Sequence, residues 1–365
     1  MKVELIDLKK RYQQEKSEIL KIIDSVLKKG HLIMTKEVYQ FEKAICKFTG
    51  ARFCSSLNSG TDALMMALWS SGIKKGDEVI TSSKSFIATI GAIVHVGAKP
   101  VLVDVGNDLN INADLIEKKI NRKTKAIVPV HWTGRMCDMD KIVFLAKKYH
   151  LKIIEDAAQA MGSYYNNAHA GSFSKVAAFS CHPLKNLNAL GDSGFITTNN
   201  KKIYDKINLY KNHGLIGRDK VEILGVNSRM DSLNSSVLTY RLKKLKKVIS
   251  KRKKNIDIYK KFIKTTKIKI IEESRDKKNS HVIFNIICED RDKLKTYLHK
   301  YNIQTLIYYG TPLHLQKPMK KYGYKKGDFP NAEKLCNEVL ALPHNQYTTL
   351  KQIRFVCDKI NSFYN

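Results

Sequence analysis

Apolar and polar positions follow two rhythms along this chain, one helical and one strand-like, and they alternate for most of its length. Residues 11 to 29 and 36 to 48 carry apolar side chains at helical spacing. In the second stretch Val38, Phe41, Ile45 and Phe48 share one side, and Gly30 and Gly50 stop the two helices. An apolar strand, 53 to 57, runs through Ser59-Gly60-Thr61 into a helix bearing Leu64, Met65, Leu68 and Trp69. Strands at 78 to 81, 101 to 105, 126 to 130 and 152 to 155 then alternate with helices at 86 to 94, 113 to 120 and 139 to 149. Short connections between such elements imply right-handed crossovers and a largely parallel sheet covered on both faces, an α/β fold.

Two more strands, Val176 to Phe179 and Phe195 to Thr198, flank a polar connection broken by Pro183. A long helix from Asp231 to beyond Lys260 follows. After it come strands at 282 to 287 and 303 to 307, and helices at 293 to 301, 331 to 340 and 348 to 363. The pattern predicts a large domain with a mostly parallel sheet flanked by helices over residues 1–245. A smaller C-terminal α+β domain takes residues 246–365, with no repeat or low-complexity linker between them.

Composition narrows the class. Hydrophobic residues make up 43% of the 365, which suits a globular protein and excludes disorder. No apolar run reaches the roughly 18 residues of a membrane span. The first residues, Met1-Lys2-Val3-Glu4-Leu5-Ile6-Asp7, lack an apolar signal core, so the expected location is the cytoplasm. The seven cysteines form no CxxC pair and are odd in number, which argues against a disulfide framework or a zinc ribbon, and no metal site is expected. The net charge of +31 raises the prospect of nucleic-acid binding. However, lysines are spread throughout. The one dense patch, Lys243 to Lys254, lies on a helix with Leu242, Leu245, Val248 and Ile249 as its apolar side, so it reads as a solvated face. No nucleic-acid partner is expected, and attraction of anionic small molecules is the simpler consequence of the charge.

Candidate chemistry lies at the strand ends. Lys185 falls in the connection Phe179-Ser180-Cys181-His182-Pro183-Leu184-Lys185-Asn186-Leu187. A lone lysine after a strand is ordinarily solvated, but upstream the apolar strand Ile153-Ile154 ends in Glu155-Asp156 and small residues. A lysine able to form a Schiff base and an acid able to pair with a pyridinium nitrogen are the two protein groups that pyridoxal phosphate requires. Lys185 and Asp156 are the catalytic candidates. The strand–glycine–helix start at Gly60 and Thr61 offers free backbone N–H groups and a helix dipole to a phosphate. Gly60, Phe86, His131, Asp156 and Ser180 all fall at or just after strand ends, where function gathers in parallel sheets.

In this light the chain resembles the sugar aminotransferases of the DegT/DnrJ/EryC1/StrS family, within the aspartate-aminotransferase fold type. The resemblance rests on Asn58-Ser59-Gly60-Thr61-Asp62-Ala63-Leu64, Gly76-Asp77-Glu78-Val79-Ile80, Val128-Pro129-Val130-His131, Glu155-Asp156-Ala157-Ala158-Gln159, the Phe179 to Lys185 segment and Gly225-Val226-Asn227-Ser228-Arg229. Pro312-Leu313-His314-Leu315-Gln316 and Gly327-Asp328-Phe329-Pro330 follow in the same order, so nearly the whole chain is covered. The resemblance implies pyridoxal 5'-phosphate as cofactor, with Gln159 near the ring's phenolic oxygen, Ser180 on the phosphate and Phe86 stacked on the ring. On the residues alone, Gln159 reads as a helix-start residue, Phe86 as core and Asn227 as a turn residue. The resemblance places Asn227 on the phosphate of a neighbouring subunit, and so implies a homodimer with shared active sites. It further implies transfer of an amino group from an amino acid, glutamate, to C3 or C4 of a nucleotide-linked keto-deoxy-sugar, in amino-sugar and surface-polysaccharide (lipopolysaccharide) biosynthesis.

The chain departs from the family in three places. Gly191-Asp192-Ser193-Gly194 stands where Gly-Asp-Gly-Gly is frequent. Tyr308-Tyr309-Gly310-Thr311-Pro312 stands where His-Tyr-Pro is frequent, on the substrate side. His182 sits where many relatives have an aromatic, and either substrate contact or packing suits it; the role of Arg229 is open as well. A sister group of dehydratases has histidine in place of the Schiff-base lysine, and Lys185 favours transamination over dehydration. A basic DNA-binding regulator is the alternative from another class, and no helix-turn-helix with a basic recognition face supports it. A nicotinamide enzyme lacks the G-x-G-x-x-G that would follow a strand.

Overall fold

The computed structural model describes residues 1–365. Helix α1 (Leu8–Leu27) starts earlier than its apolar pattern, because Asp7 caps it by accepting a hydrogen bond from the Lys10 N–H at 2.8 Å. Helix α2 (Lys36–Thr49) buries Val38, Phe41 and Ile45. It stops at Gly50, whose φ of +81° returns its N–H to the Cys46 carbonyl. The chain then builds β1 (Phe53–Leu57), α3 (Gly60–Ser70), β2 (Glu78–Ser82), α4 (Ile87–His95), β3 (Lys99–Val103), β4 (Thr124–Val128), α5 (Met139–Lys148) and β5 (Lys152–Asp156). A hairpin of β6 (Tyr164–Tyr165) and β7 (Ala168–His169) precedes β8 (Val176–Ser180), β9 (Gly194–Thr198) and α6 (Lys201–Tyr210).

Seven strands form one sheet in the order β1-β9-β8-β5-β4-β2-β3. Only β9 runs against its neighbours; the other six share one direction. One core, from α2, α5 and later helices, covers one face around Phe41, Phe179 and Phe195; a second, from α3, α4 and α6, covers the other around Leu68, Ile93 and Ile196. Burial on both faces is why these strands read as continuous apolar runs rather than alternating ones.

The expected single helix after Asp231 is two: α7 (Ser232–Leu242) and α8 (Leu245–Phe262), parted at Lys243-Lys244. Leu238, Leu242 and Leu245 pack into the first core of the sheet, whereas Ile256 and Tyr259 pack into a separate one. The bend between the exposed lysines lets the two helices serve different cores. The remaining elements are β10 (Ile268–Ile270), β11 (Lys277–Lys278), β12 (Asn285–Cys288), α9 (Arg291–Lys300), α10 (Pro330–Glu338), β13 (Val339–Ala341) and α11 (Leu350–Tyr364). Strands β10, β12 and β13 form an antiparallel sheet, and β11 pairs with β6. Their core includes Val3, whose backbone pairs with Asn302 and Gln304, so the start of the chain belongs to this layer.

Other expectations shift. Residues 113 to 120 form two 3-10 turns, Ala113–Leu115 and Glu117–Lys119, rather than a helix, the first opened by the Asn112 side chain. Residues 303 to 307 make single bridges to Val3 and Ala341 and no ladder. The strand expected from 282 begins at Asn285, and the helix expected to 340 ends at Glu338, where the chain passes directly into β13. Helix α6 was not expected; it presents only Ile203 and Ile207 to the core. No helix is long and apolar enough to cross a membrane.

Candidate active site

Strand alternation assigns the two acids at the end of β5 to different surroundings. Glu155 is fully buried, where its carboxylate accepts from His131 Nε2 at 2.9 Å, the Gly171 and Phe173 N–H groups at 2.7 and 2.9 Å, and Ser174 Oγ at 2.8 Å. Burial pushes this carboxyl up, but the bonds from His131, Gly171 and Ser174 outweigh it and hold it below its ordinary value. Asp156 faces a cavity at the rim of the sheet. Its Oδ2 accepts from Thr89 Oγ1 at 2.7 Å and its Oδ1 from the Ala158 N–H at 3.2 Å, and Thr89 Oγ1 is in turn 3.0 Å from Ser85 Oγ. Burial raises the Asp156 carboxyl, opposed by these two bonds and by the charge of Lys185. A fixed, partly desolvated carboxylate of this kind needs a cationic partner.

The charge of Lys185, on the neighbouring turn, acts on this carboxylate. The Lys185 backbone N–H closes a turn on His182 O at 2.8 Å, and Asn188 Nδ2 braces the turn on Pro183 O at 2.7 Å. The next residue, Asn186, donates to Ser280 O and accepts from Arg252 Nη1, both at 2.5 Å, which fixes the segment from the far side. The side chain reaches the cavity through dense protein, and burial lowers its amine to about 8 despite the opposing charge of Asp156. An amine in this range is available as nucleophile and base near neutral pH.

The anion end of the cavity forms where β1 meets α3. Ser59 caps α3 by accepting from the Asp62 N–H at 3.1 Å, leaving the first N–H groups of an 11-residue helix directed at the cavity. Gly60 is required there: a Cβ at this position would lie 2.6 Å from Ser180 Cβ and 3.0 Å from its Oγ. At the other end Gln159 Oε1 accepts from the Thr133 N–H at 2.8 Å. That bond turns the amide nitrogen inward, to donate to the Tyr309 hydroxyl at 3.4 Å. Phe86 precedes α4 and is 51% exposed, with its ring 5.6 Å from that of Tyr309, so one aromatic face is open to the cavity.

The structure thus brings Gly60, Thr61, Phe86, Asp156, Gln159, Ser180 and Lys185 to one cavity of about 460 Å³. Asn227 lies outside it, exposed, with its Oδ1 accepting from Arg229 Nε at 3.0 Å. His182, Tyr308 and Tyr309, whose roles the sequence left open, line the cavity, as does Asp192. Thr89 went unnoticed in the sequence, although it falls one helical turn after Ser85 and so shares its face of the chain. The cysteines are all free, and no cluster of metal-ligating side chains is present.

These residues fit a flat aromatic aldehyde with a ring nitrogen and a phosphate. Asp156 suits the nitrogen, Lys185 the aldehyde carbon, Phe86 the ring face, and the α3 N-terminus with Ser180 the phosphate. Together the doubly covered sheet and this site define a pyridoxal-phosphate-dependent aminotransferase of fold type I. The DegT/DnrJ/EryC1/StrS aminotransferase family matches residues 13–361, and the chain belongs to it. It is 36% identical over 362 residues to the dTDP-3-amino-3,6-dideoxy-alpha-D-galactopyranose transaminase of Aneurinibacillus thermoaerophilus, covering 99% of each chain. It is 35% identical over 368 residues to a pleiotropic regulatory protein of Geobacillus stearothermophilus, covering 100% of this chain and 99% of that one. Among solved structures, S. venezuelae DesV superposes with a TM-score of 0.97 at 33% identity, over 99% of this chain and 98% of the other.

The environment of Lys185 makes a prediction about pH. In cofactor-free protein, the rate at which the amine captures pyridoxal phosphate should rise with pH and level off above about 8, rather than near the ordinary lysine value of 10.5. Asp156→Asn removes the charge that favours the ammonium, so the midpoint should move lower still. Stopped-flow absorbance measures both; a wild-type midpoint near 10 would contradict the assigned environment.

Proposed function

We propose that this enzyme moves an amino group from glutamate to C3 or C4 of a nucleotide-linked keto-deoxy-sugar, in the making of amino sugars for surface polysaccharides such as lipopolysaccharide. The observation that carries the reading is the single cavity joining Lys185, Asp156 and the α3 N-terminus in a chain that aligns end to end with a dTDP-amino-sugar transaminase. The net charge of +31 suits a diphosphate substrate.

Bound, pyridoxal phosphate supplies the electron sink that lets an amino-bearing carbon lose its proton. The protein's part divides among its own groups. The first turn of α3, with Ser180, holds the phosphate; Asp156, anchored by Thr89, keeps a negative charge opposite the ring nitrogen. Gln159 directs its amide nitrogen toward the ring oxygen, and Phe86 covers one face and excludes water. With the cofactor bound, the Lys185 amine would take the proton from the donor carbon and deliver it to the carbon on the other side of the transferred nitrogen, and would run the same exchange in reverse on the sugar. Its value of about 8 lets it both accept and give a proton near neutral pH.

The reading includes a homodimer. Asn227 sits on an exposed segment beside Leu224, 93% exposed, Ile216 and Val226, an apolar surface that a second copy would cover. On that surface Asn227 reaches the cofactor phosphate of the second copy. The reading also divides the chain at residue 245, next to the break between α7 and α8, although Val3 packs with the C-terminal core. Seven free cysteines support a cytoplasmic location.

Glutamate should convert the cofactor to its amine form and yield 2-oxoglutarate, and one member of a panel of dTDP-, UDP- and GDP-linked 3-keto and 4-keto sugars should then become the amino sugar, followed by mass. Amination of ordinary 2-oxo acids alone would overturn the substrate class. For the shared site, Lys185→Ala and Asn227→Ala proteins should each be inactive. Mixed in equal amounts under subunit exchange, they should recover about a quarter of wild-type activity, because one of two sites in half of the dimers is intact. No recovery after demonstrated exchange would contradict it.

A further inference from the structure

Lys84 follows β2 and is 1% exposed, yet no carboxylate lies within ion-pair reach of it. Its Nζ donates to the Tyr309 carbonyl at 3.1 Å and to Cys336 Sγ at 3.2 Å, and stands 4.8 Å from the centre of the Trp132 ring. The turn that carries it is braced by Ser82 Oγ, which donates to Lys84 O at 3.0 Å and accepts from its N–H at 3.2 Å. Burial lowers the amine, and the nearby Arg291 charge adds to that. Enclosing a cation without an acid is unfavourable, and an apolar side chain of the same length would fill the space with less penalty. Packing alone therefore does not account for an amine here.

What the amine touches does. Tyr309 has a φ of +59°, a left-handed conformation unfavourable for a residue with a side chain, and Gly310 after it adds no restraint. The Tyr309 carbonyl is gripped twice, by Lys84 Nζ and by Cys336 Sγ at 3.2 Å. That main-chain setting carries the Tyr309 ring to 5.6 Å from Phe86 and 6.0 Å from Trp132, and its hydroxyl to Gln159 in the catalytic cavity. Because the hydroxyl oxygen accepts from Gln159, its own proton is free to be donated into the cavity. Burial also raises the phenol well above its ordinary value, so it stays protonated.

We propose that Lys84 is a positioning residue for amino transfer: its buried amine holds the Tyr309 carbonyl so that the strained main chain keeps the phenol O–H aimed at the oxygen of the bound donor or acceptor. The proposal rests on reading this cavity as the amino-transfer site. Lys84 touches no reactant itself; it acts through Tyr309.

The test is a double-mutant cycle of Lys84→Met, Tyr309→Phe and the pair. It is read on the glutamate half-reaction by cofactor absorbance, with thermal unfolding and amide hydrogen exchange measured on the cofactor-free proteins. Lys84→Met should melt no lower than wild type and lose about tenfold in rate at saturating glutamate, yet lose less than about twofold when Phe already replaces Tyr309. Exchange should quicken across residues 306–312 and stay unchanged across 152–160. Additive rate losses, or unchanged exchange at 306–312, would overturn the role. A Lys84→Met protein that melts lower than wild type would do so as well, since it would make the lysine a structural strut. If Lys84→Met does not fold, Lys84→Leu replaces it in the same cycle. A wild-type enzyme inert toward every amino donor would sink the functional reading instead, a distinct outcome.

Discussion

The site depends on one opposition of charge: the Lys185 amine against the Asp156 carboxylate, both desolvated at the rim of a doubly covered sheet. Desolvation weakens the charged form of each, and each supports the other's charge. Asp156 ends β5 and Ser180 ends β8, and these strands lie side by side in parallel, with Asp156 opposite Ala178. The sheet register therefore fixes how far the acid stands from the turn that carries the lysine. Around this pair the hydrogen bonds are graded. Glu155, one residue away, is saturated by four donors and has nothing left to offer, whereas Asp156 keeps capacity for a ring nitrogen.

The backbone contributes as much as the side chains. Gly60 allows α3 to approach Ser180, and Gly194 allows β9 to pass Ser59, where a Cβ would come within 2.4 Å of the Ser59 carbonyl carbon. These close approaches set a helix N-terminus against the end of β8, and both line the cavity that Lys185 reaches. Tyr309 and its support by Lys84 extend the same logic to the substrate side: a strained main chain is kept because buried groups grip its carbonyl.

Much of this was legible in the sequence because parallel strands are continuous apolar runs and their carboxyl ends are abrupt. Lys185, Asp156, Gly60 and Ser180 all follow such runs. The residues that escaped notice have no local signature. Lys84 sits among serines and looks solvated; only the fold brings Cys336 and Tyr309 onto it from far along the chain. Thr89 reads as an ordinary helical threonine until β5 places Asp156 beside it. The break at Lys243-Lys244 has no glycine or proline to mark it, since it answers to two separate cores, and the turns at 113 to 119 are held by a side-chain cap that an amphipathic pattern does not register. Asn227 was singled out only through resemblance, and in this chain it lies exposed, away from the cavity.

The most direct measurement is to reduce the cofactor-loaded enzyme with borohydride, digest it and locate the fixed cofactor by mass. Two other lysines, Lys84 and Lys211, are buried in the chain, so the result discriminates. The account predicts the reduced cofactor on Lys185 alone; a cofactor fixed on any other lysine, or none fixed at all, would contradict it.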